Sequence, residues 1–214
     1  MPTVMVIGDA ATTTSVALAA TRRGRVEIVE ADERGGSLAA WWGLDPATRA
    51  ARALGREIDV SLLPHHPAEA AHLIGLAEPT SAADGLRVVD AGLPLHHPGR
   101  HPWVAVTDVA LIVIRQGWGT SRMVARRVER GTHLANRLIG SVPSVVVAVI
   151  GGSPFRPSDI GAHALAGLGG DGTVVALPED PRAATMIADP AAVGERRWRR
   201  TALARALESW EVPL

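Results

Sequence analysis

The residues best suited to binding phosphate lie near the N-terminus, between an apolar run and a helical pattern. The run Val4–Ile7 is followed by small and hydroxyl residues, namely Gly8, Asp9, Ala10, Ala11, Thr12 and Thr13. A strand, a short turn and a helix that opens with hydroxyl residues form the layout of a phosphate-binding loop, in which backbone N–H groups and a lysine hold the phosphates. The sequence contains 22 basic residues, all of them arginine, so no alignment of the loop supplies that lysine.

Two acidic residues at the ends of later apolar runs are candidates for metal binding and for orienting water. Asp32 follows the run Val26–Glu30, and Asp90 ends the run Arg87–Asp90. In an open α/β sheet, ligands bind beyond the carboxyl ends of the strands, so both carboxylates are expected beside the turn at Gly8. A carboxylate in that place holds Mg²⁺ or orients an attacking water.

Short apolar, β-branched runs alternate with helical patterns along the chain. The predicted strands are Thr3–Ile7, Val26–Glu30, Asp59–Leu63, Arg87–Asp90, Val109–Arg115, Ser144–Ile150 and Thr173–Ala176. The predicted helices are Thr12–Arg23, Ala47–Leu54, Ala68–Leu76, Thr120–Leu138, Pro157–Leu168, Pro181–Ile187 and Val193–Trp210. Runs that are apolar on both faces indicate buried parallel strands, and their alternation with helices indicates βαβ units. The sequence therefore predicts an α/β fold with a doubly wound, mostly parallel sheet of about seven strands and helices on both faces.

Composition limits the compartment and the kind of partner. The 214 residues fit one globular domain over residues 1–214, and a hydrophobic content of 47% is enough for a sizeable core. The formal net charge is zero and there is no cysteine, so overall charge does not indicate nucleic-acid binding and thiolate or disulfide chemistry is excluded. The sequence has no signal-peptide pattern and no apolar run long enough to span a bilayer. We therefore expect a cytoplasmic protein.

Several segments resemble motifs of the ParA/MinD family of P-loop ATPases, and the resemblance covers nearly the whole chain. The segment Thr12–Ala19 is similar to the end of the family's phosphate-binding loop and its helix. Val29–Leu38 resembles the aspartate-containing switch segment, and Val88–Asp90 resembles the Walker B strand. Ala176–Pro181 is similar to a late loop near the adenine base. The likeness is greatest to small, divergent actinobacterial members and extends to TadZ/CpaE-type relatives, which place pilus and secretion machinery.

This resemblance implies a P-loop NTPase-like fold and roles for individual residues. Asp32 would orient the attacking water, while Asp90 and the Thr12 hydroxyl would hold Mg²⁺. The nucleotide would contact residues 8–13 through its phosphates and Pro178 near its base.

The candidate loop departs from the family pattern where phosphate would bind. If Thr12 is the motif threonine, Ala11 takes the lysine position and Ala10 that of the second glycine. The usual loop length instead puts Thr14 in the lysine position. Asp9 adds a carboxylate where phosphate oxygens would lie. Losing a charge-assisted hydrogen bond, worth roughly 1.5–3 kcal/mol, and adding like-charge repulsion would weaken nucleotide binding about a hundredfold or more.

Two features also have interpretations that need no ligand. Threonine and serine are good N-cap residues, so Thr12–Ser15 would simply cap and begin a helix. Loop histidines are candidate metal ligands, but adjacent histidines point in different directions and no cysteine or spaced acid completes a tetrahedron. Solvated loop side chains are therefore favoured for His65, His66, His96, His97 and His101.

Two arginine-bearing helical segments are candidate surfaces. Arg122, Arg126 and Arg130 share one helix face by their spacing. A solvated face is the default interpretation, and the family resemblance implies a candidate DNA or partner surface. The pattern Val193–Trp210 combines a basic cluster with an apolar stripe. We favour a closing helix packed on the sheet, the alternative being contact with an anionic membrane or DNA.

Together these observations favour a ParA/MinD-like positioning or assembly scaffold with a degenerate nucleotide site that does not hydrolyse ATP, a pseudo-ATPase. It would need no cofactor and would act through a protein partner, as a homodimer or both. One alternative is a slow ATPase, with ATP and Mg²⁺ as cofactors, for partitioning or for placing a pilus or secretion apparatus. Another is a nucleotide-independent interaction module. Peripheral attachment to the membrane or nucleoid, and binding to non-specific DNA, are less favoured alternatives.

Overall fold

One eight-stranded sheet organises the computed structural model, which describes residues 1–32, 34, 38–45, 48, 50–62, 85–94, 97–117, 119–166 and 172–213. The strands are β1 Thr3–Gly8, β2 Arg25–Glu30, β3 Ala50–Ala53, β4 Arg56–Leu62, β5 Gly85–Asp90, β6 Val109–Arg115, β7 Ser144–Ile150 and β8 Thr173–Leu177. The α-helices are α1 Ala11–Thr21, α2 Leu38–Trp42, α3 Ser121–Leu138, α4 Pro157–Leu165, α5 Pro181–Ala188, α6 Glu195–Trp198 and α7 Ala202–Ser209. Two 3-10 helices, Pro98–Arg100 and Pro102–Val106, precede β6.

The strand order β3-β4-β2-β5-β1-β6-β7-β8 is that of a doubly wound sheet. All neighbouring strands are parallel except β3 and β4. Strand β1 lies between β5 and β6, with Val6 opposite Asp90 and Gly8 opposite Val113. The predicted α/β fold class is therefore confirmed, with one strand more than the seven predicted. The carboxyl ends of β2, β5, β1, β6, β7 and β8 meet at one side of the sheet, called here the carboxyl edge.

Successive side chains of β1 point to opposite faces of the sheet, so the core has two layers. Val4 and Val6 pack on the face covered by α1, α5 and α7, whereas Met5 and Ile7 pack on the opposite face. The covering helix on that opposite face is α3, which continues over β6 and β7 together with α4. All six residues of β1 are buried, as expected for a central parallel strand covered on both sides.

The helix predicted over Ala47–Leu54 is wrong, because part of this segment is strand β3, which pairs antiparallel with β4. Leu54 and Gly55 join the two strands with φ angles of 53° and 82°, the positive values that tight hairpin turns require. The Leu54 side chain is fully buried, and its N–H donates to the Pro190 carbonyl at 3.1 Å. Alanine content favours a helix here, but strand pairing and the burial of Leu54 override that propensity.

The single helix predicted over Val193–Trp210 is also wrong, since it is divided into α6 and α7 by Arg199–Thr201. Thr201 caps α7 by accepting a hydrogen bond from the Ala204 N–H at 3.1 Å. Trp198 is fully buried, and Trp210 is buried too. The apolar stripe therefore packs in the core, as the predicted closing segment on the sheet requires.

Other predicted boundaries differ from the structure by a few residues. The predicted helix Ala68–Leu76 lies outside the described residues. Among the helices that the structure describes, none is both long enough and apolar enough to cross a membrane.

Asp180 connects the end of β8 to two helices. Its carboxylate caps α5 by accepting from the Ala183 N–H at 3.0 Å, and it accepts from the Ala202 N–H of α7 at 2.7 Å. Burial acts to raise the pKa of Asp180, but the hydrogen bonds from backbone N–H groups outweigh it and lower the pKa. One carboxylate thus holds two helix N-termini together at the carboxyl edge.

We expect Asp180→Ala to destabilise the protein by about 1–2 kcal/mol, because an N-cap is lost and a second helix loses an acceptor. Because the pKa of Asp180 is lower in the folded state than in the unfolded state, its contribution is present above about pH 4 and is lost as the pH falls further. Urea unfolding of both proteins at neutral and acidic pH measures this. An equal difference at every pH would contradict the assignment to the carboxylate.

Candidate functional site

The turn between β1 and α1 contains only two residues, Asp9 and Ala10. The Gly8 N–H donates to the Gly92 carbonyl at 2.8 Å, and the Asp9 N–H donates to the Val113 carbonyl at 3.0 Å. A Cβ atom at Gly8 would lie 2.4 Å from the Val113 oxygen, so only glycine fits there. Two N–H groups that could face a phosphate are therefore bonded to the sheet.

Helix α1 begins without a side-chain cap. Its N-cap residue, Ala10, adopts a left-handed conformation with φ 60° and ψ 30°, which costs a residue other than glycine about 1–2 kcal/mol. The sequence predicts that hydroxyl groups of Thr12–Ser15 cap this helix. That prediction is wrong, because these residues lie inside α1 and the N-cap is Ala10. Ala11 and Thr12 are buried in the first turn, and Thr13 is half-buried.

Arginine side chains surround the carboxylate of Asp9. Arg130 of α3 lies 3.7 Å from it, and the Asp9 side chain is only 17% exposed. Burial raises the pKa of Asp9, while the charges of Arg130, Arg127 and Arg115 and a hydrogen bond from the Arg115 N–H act to lower it. The guanidinium of Arg127 also donates to the Gly117 carbonyl at 2.8 Å. Asp9 thus takes the place of an external anion beside these arginines.

Asp90 is completely buried at the end of β5. Its carboxyl accepts hydrogen bonds from the Thr12 hydroxyl and from the Gly92 N–H, the latter at 3.3 Å. Among the described residues its Oδ2 atom has no hydrogen-bond partner. The pKa of Asp90 is raised to about 7, mainly by burial and also by the charges of Asp32 and Glu30, while the hydrogen bonds from Thr12 and Gly92 act to lower it.

Asp32 and Glu30 lie next to Asp90 at the end of β2. A Cβ atom at Gly92 would lie 2.2 Å from the Asp32 carboxyl carbon, so the Asp32 side chain rests on that glycine. Its Oδ1 accepts from the Arg34 N–H at 2.9 Å. The Glu30 carboxylate accepts from the Leu38 N–H of α2 at 2.5 Å. Asp32 therefore lies beside Asp90 and Thr12, as the spacing predicts, whereas Glu30 holds the following helix.

At the far end of the carboxyl edge, Arg115 pairs with Glu179. The Arg115 Nε donates to the Glu179 Oε1 at 3.0 Å, and a Cβ atom at Gly117 would overlap the Glu179 carboxylate. Pro178, the residue predicted to contact the nucleotide base, is half-buried and directly precedes Glu179. The ends of β6 and β8 are therefore joined by an ion pair beside Pro178.

The arginines predicted to share one helix face divide into two groups. Arg122 and Arg126 are exposed on α3, whereas Arg130 is paired with Asp9 and belongs to the edge. Of the predicted histidines, His65, His66 and His96 lie outside the described residues. The rings of His97 and His101 accept from the N–H groups of Gly99 and Trp103 at the 3-10 helices. In the described part of the chain, no group of three or more metal-binding side chains is present.

Sequence reasoning did not single out Arg115, Arg127, Glu179 or Glu30. Arg115 and Glu30 both end apolar runs, which is the signal that identified Asp90. Their pairing depends on which strand ends are neighbours, and that is known only from the strand order. The prediction of a solvated loop side chain is wrong for His101, because this residue is buried. Its Nε2 lies 3.2 Å from the Ala31 carbonyl, so it supports the loop that bears Asp32.

No protein-family model and no curated protein sequence matches the chain. Solved structures do share its architecture over the full length. A chain of the MinC:MinD cell division protein complex of Aquifex aeolicus is 14% identical with a TM-score of 0.62, covering 100% of this chain and 98% of that one. The MinD cell division protein of Aquifex aeolicus is 18% identical with a TM-score of 0.57, covering 100% of both chains. A Cyanothece McdA variant in complex with ATP is 13% identical with a TM-score of 0.55, covering 100% of this chain and 99% of that one.

These similarities define the class of fold. The chain has the doubly wound α/β fold that MinD and McdA share, with its candidate site at the carboxyl edge of the sheet.

We expect Asp90→Asn to be more stable than the parent protein at about pH 8, with an advantage that shrinks toward about pH 5. The folded-state pKa of about 7 lies above the ordinary value of 3.8. Between these values the folded state binds more protons than the unfolded state, so stability falls as the pH rises. Asparagine removes that penalty, which is on the order of a few kcal/mol.

Urea unfolding across this pH range measures the effect. Asp59→Asn is a suitable control, because Asp59 is half-exposed and paired with Arg25 away from the edge. A stability difference between Asp90→Asn and the parent that does not change with pH would contradict a titrating Asp90.

Proposed function

We propose that this protein is a divergent ParA/MinD-family member that acts as a positioning or assembly scaffold and does not hydrolyse ATP. The shared fold with two proteins named as parts of the MinD cell division system supports the positioning role. The turn at Asp9 and Ala10 supports the absence of turnover. In this proposal the protein works by binding a protein partner, as a homodimer or both, at its carboxyl edge.

The two-residue turn is the observation that carries the proposal. A triphosphate is held by a run of free backbone N–H groups and by cations. Here the Gly8 N–H donates to the Gly92 carbonyl in the loop after β5, and the Asp9 N–H donates to the Val113 carbonyl of β6. The Asp9 carboxylate already lies among Arg115, Arg127 and Arg130, so an added phosphate would meet a like charge. The residues present therefore do not fit a triphosphate.

A slow ATPase is the second candidate, and one observation favours it. The Thr12 hydroxyl is hydrogen-bonded to Asp90, and the Asp90 Oδ2 lacks a partner among the described residues. A hydroxyl and a carboxylate are oxygen ligands of the kind that Mg²⁺ prefers. In that case Thr12 and Asp90 would hold the metal and Asp32 would orient water, and Mg²⁺ would supply charge neutralisation for a bound phosphate. A nucleotide-independent interaction module is a further alternative, which differs from the scaffold in binding no nucleotide at all.

The family relationship also suggests where the protein acts. We propose a cytoplasmic location. Placing a pilus or secretion apparatus, as TadZ/CpaE-type relatives do, belongs to the slow-ATPase alternative, and peripheral attachment to the membrane or nucleoid is a less favoured alternative.

We expect calorimetry to detect no ATP binding that depends on the edge, so any binding of ATP with Mg²⁺ by the parent protein at about 1 mM nucleotide should be unchanged in Asp90→Ala. Asp9→Asn should bind ATP better than the parent, by about tenfold or more, because a like charge is removed while the arginines stay in place. Asp59→Asn serves as the matched control, since it removes an ion-paired carboxylate far from the edge.

Two results would decide against this proposal. Micromolar ATP binding by the parent protein, lost in Asp90→Ala, would establish the slow ATPase. Equal ATP affinity in Asp9→Asn and the parent would show that Asp9 does not block the site.

The positioning role predicts a fixed cellular location that does not need Asp90. A fluorescent fusion should keep its location in Asp90→Ala, whereas a diffuse parent protein would contradict the scaffold.

Arg122 and Arg126 test the partitioning alternative. Arg122 and Arg126 can neutralise only about two phosphates, so we expect that they do not suffice to retain the parent on duplex DNA at about 150 mM salt. Retention that falls with salt and is lost in Arg122→Ala/Arg126→Ala would revive a role in DNA partitioning.

A further inference from the structure

A cleft of about 700 Å³ lies beyond the end of β8 and borders the candidate site at Glu179. Its walls are the first turns of α5 and α7 and the segment that joins α6 to α7. No residue of the β1–α1 turn lines it, nor does Asp90. Four basic side chains surround it, namely Arg182, Arg197, Arg200 and Arg205.

The two carboxylates of the cleft are engaged elsewhere. Glu179 pairs with Arg115 of β6. Asp180 accepts hydrogen bonds from the N–H groups of Ala183, Ala202 and Leu203. Both carboxylates lower the positive potential of the cleft, but neither forms an ion pair with an arginine that lines it in the described structure.

The cleft arginines contrast with a neighbour on the same segment. Arg199 pairs with Glu195 at 2.8 Å and also with Glu208. No salt bridge involves Arg182, Arg197 or Arg200 within the described ranges. Because the chain contains no lysine, the choice of arginine carries no information, but the concentration of unpaired guanidinium groups around one cavity does.

We propose that this cleft binds a ligand that carries two or more phosphate groups. A guanidinium offers a planar pair of N–H donors that matches phosphate oxygens, and several of them around one recess suit a multivalent anion. The N-termini of α5 and α7 also open on the cleft, but the Asp180 carboxylate already caps them, so attraction of an anion depends on the arginines. Pro181, Met186 and Ala202 supply apolar wall for an organic part of the ligand, and the volume lies in the range of small-molecule sites.

Phosphate groups of this kind can come from two sources. One is a free ligand, either polyphosphate or a nucleoside polyphosphate, and the other is the headgroup of an anionic lipid. The first enters the recess alone, whereas the second requires that the surface around α5 and α7 approach a bilayer. The concave shape suits either, so the test uses both kinds of probe.

Calorimetry with sodium tripolyphosphate at low ionic strength tests the proposal. We expect binding by the parent protein that weakens at least tenfold in Arg182→Gln/Arg200→Gln, because each guanidinium contributes charge-assisted hydrogen bonds. Arg122→Gln/Arg126→Gln is the matched control, since it removes two exposed arginines outside the cleft and should keep the parent's affinity. Arg197→Gln gives a second, single-site measurement, and circular dichroism checks that each variant is folded.

The outcomes separate the explanations. No binding of tripolyphosphate at about 1 mM, or equal weakening in the cleft variants and the control, would overturn the proposal. Binding of polyglutamate as tightly as tripolyphosphate would also overturn it, since an acidic peptide would then be the preferred ligand. Sedimentation with vesicles of cardiolipin, whose headgroup carries two phosphates, lost in the cleft variants and competed by tripolyphosphate, would assign the phosphate to lipid. Binding of tripolyphosphate without vesicle binding would assign it to a free ligand.

Discussion

The two-residue turn at Asp9 and Ala10 fixes how closely the first helix approaches the sheet, and the chemistry of the carboxyl edge depends on it. The turn is bonded to the strands on both sides through Gly8 and Asp9, and Gly8 has no room for a side chain. Ala10 holds a left-handed conformation that costs about 1–2 kcal/mol. That cost is offset because every residue of α1 except Thr13 is buried, so the packing of the helix determines the conformation of the turn.

A consequence of this close approach is that the edge neutralises its own charges. Asp9 pairs with Arg130, and Arg115 pairs with Glu179. Burial raises the pKa of Asp90 and so favours its protonated form. A nucleotide site needs the opposite arrangement, with donors and cations left unpaired until the ligand arrives. This compensation supports our proposal that the edge serves as a preformed surface for recognition and not for phosphoryl transfer.

The central strands and the fold class could be predicted because β-branched apolar runs covered on both faces have few alternatives. Asp90, Asp32 and Thr12 were also found from sequence, since strand ends and a parallel topology bring them together. The hairpin at Leu54 could not be predicted, because its alanines favour a helix and only pairing with β4 decides otherwise. The partners of Asp9 escaped prediction for a similar reason. Arg130 reaches it from a helix more than a hundred residues later in the chain, and no local pattern records that contact.

The edge and the cleft differ in local charge because their carboxylates have different partners. The net charge of the chain is formally zero, so attraction of an anion depends on local pairing and not on the overall field. At the edge, Asp9 and Glu179 lie against arginines of α3 and β6. Around the cleft, Asp180 is instead used to hold two helices together, and the nearby guanidinium groups are left without carboxylate partners. The same balance of charges thus yields one compensated surface and one positive recess. A separation of this kind would let the fold bind an anion in the cleft, as we propose, rather than at the strand ends beside Asp9.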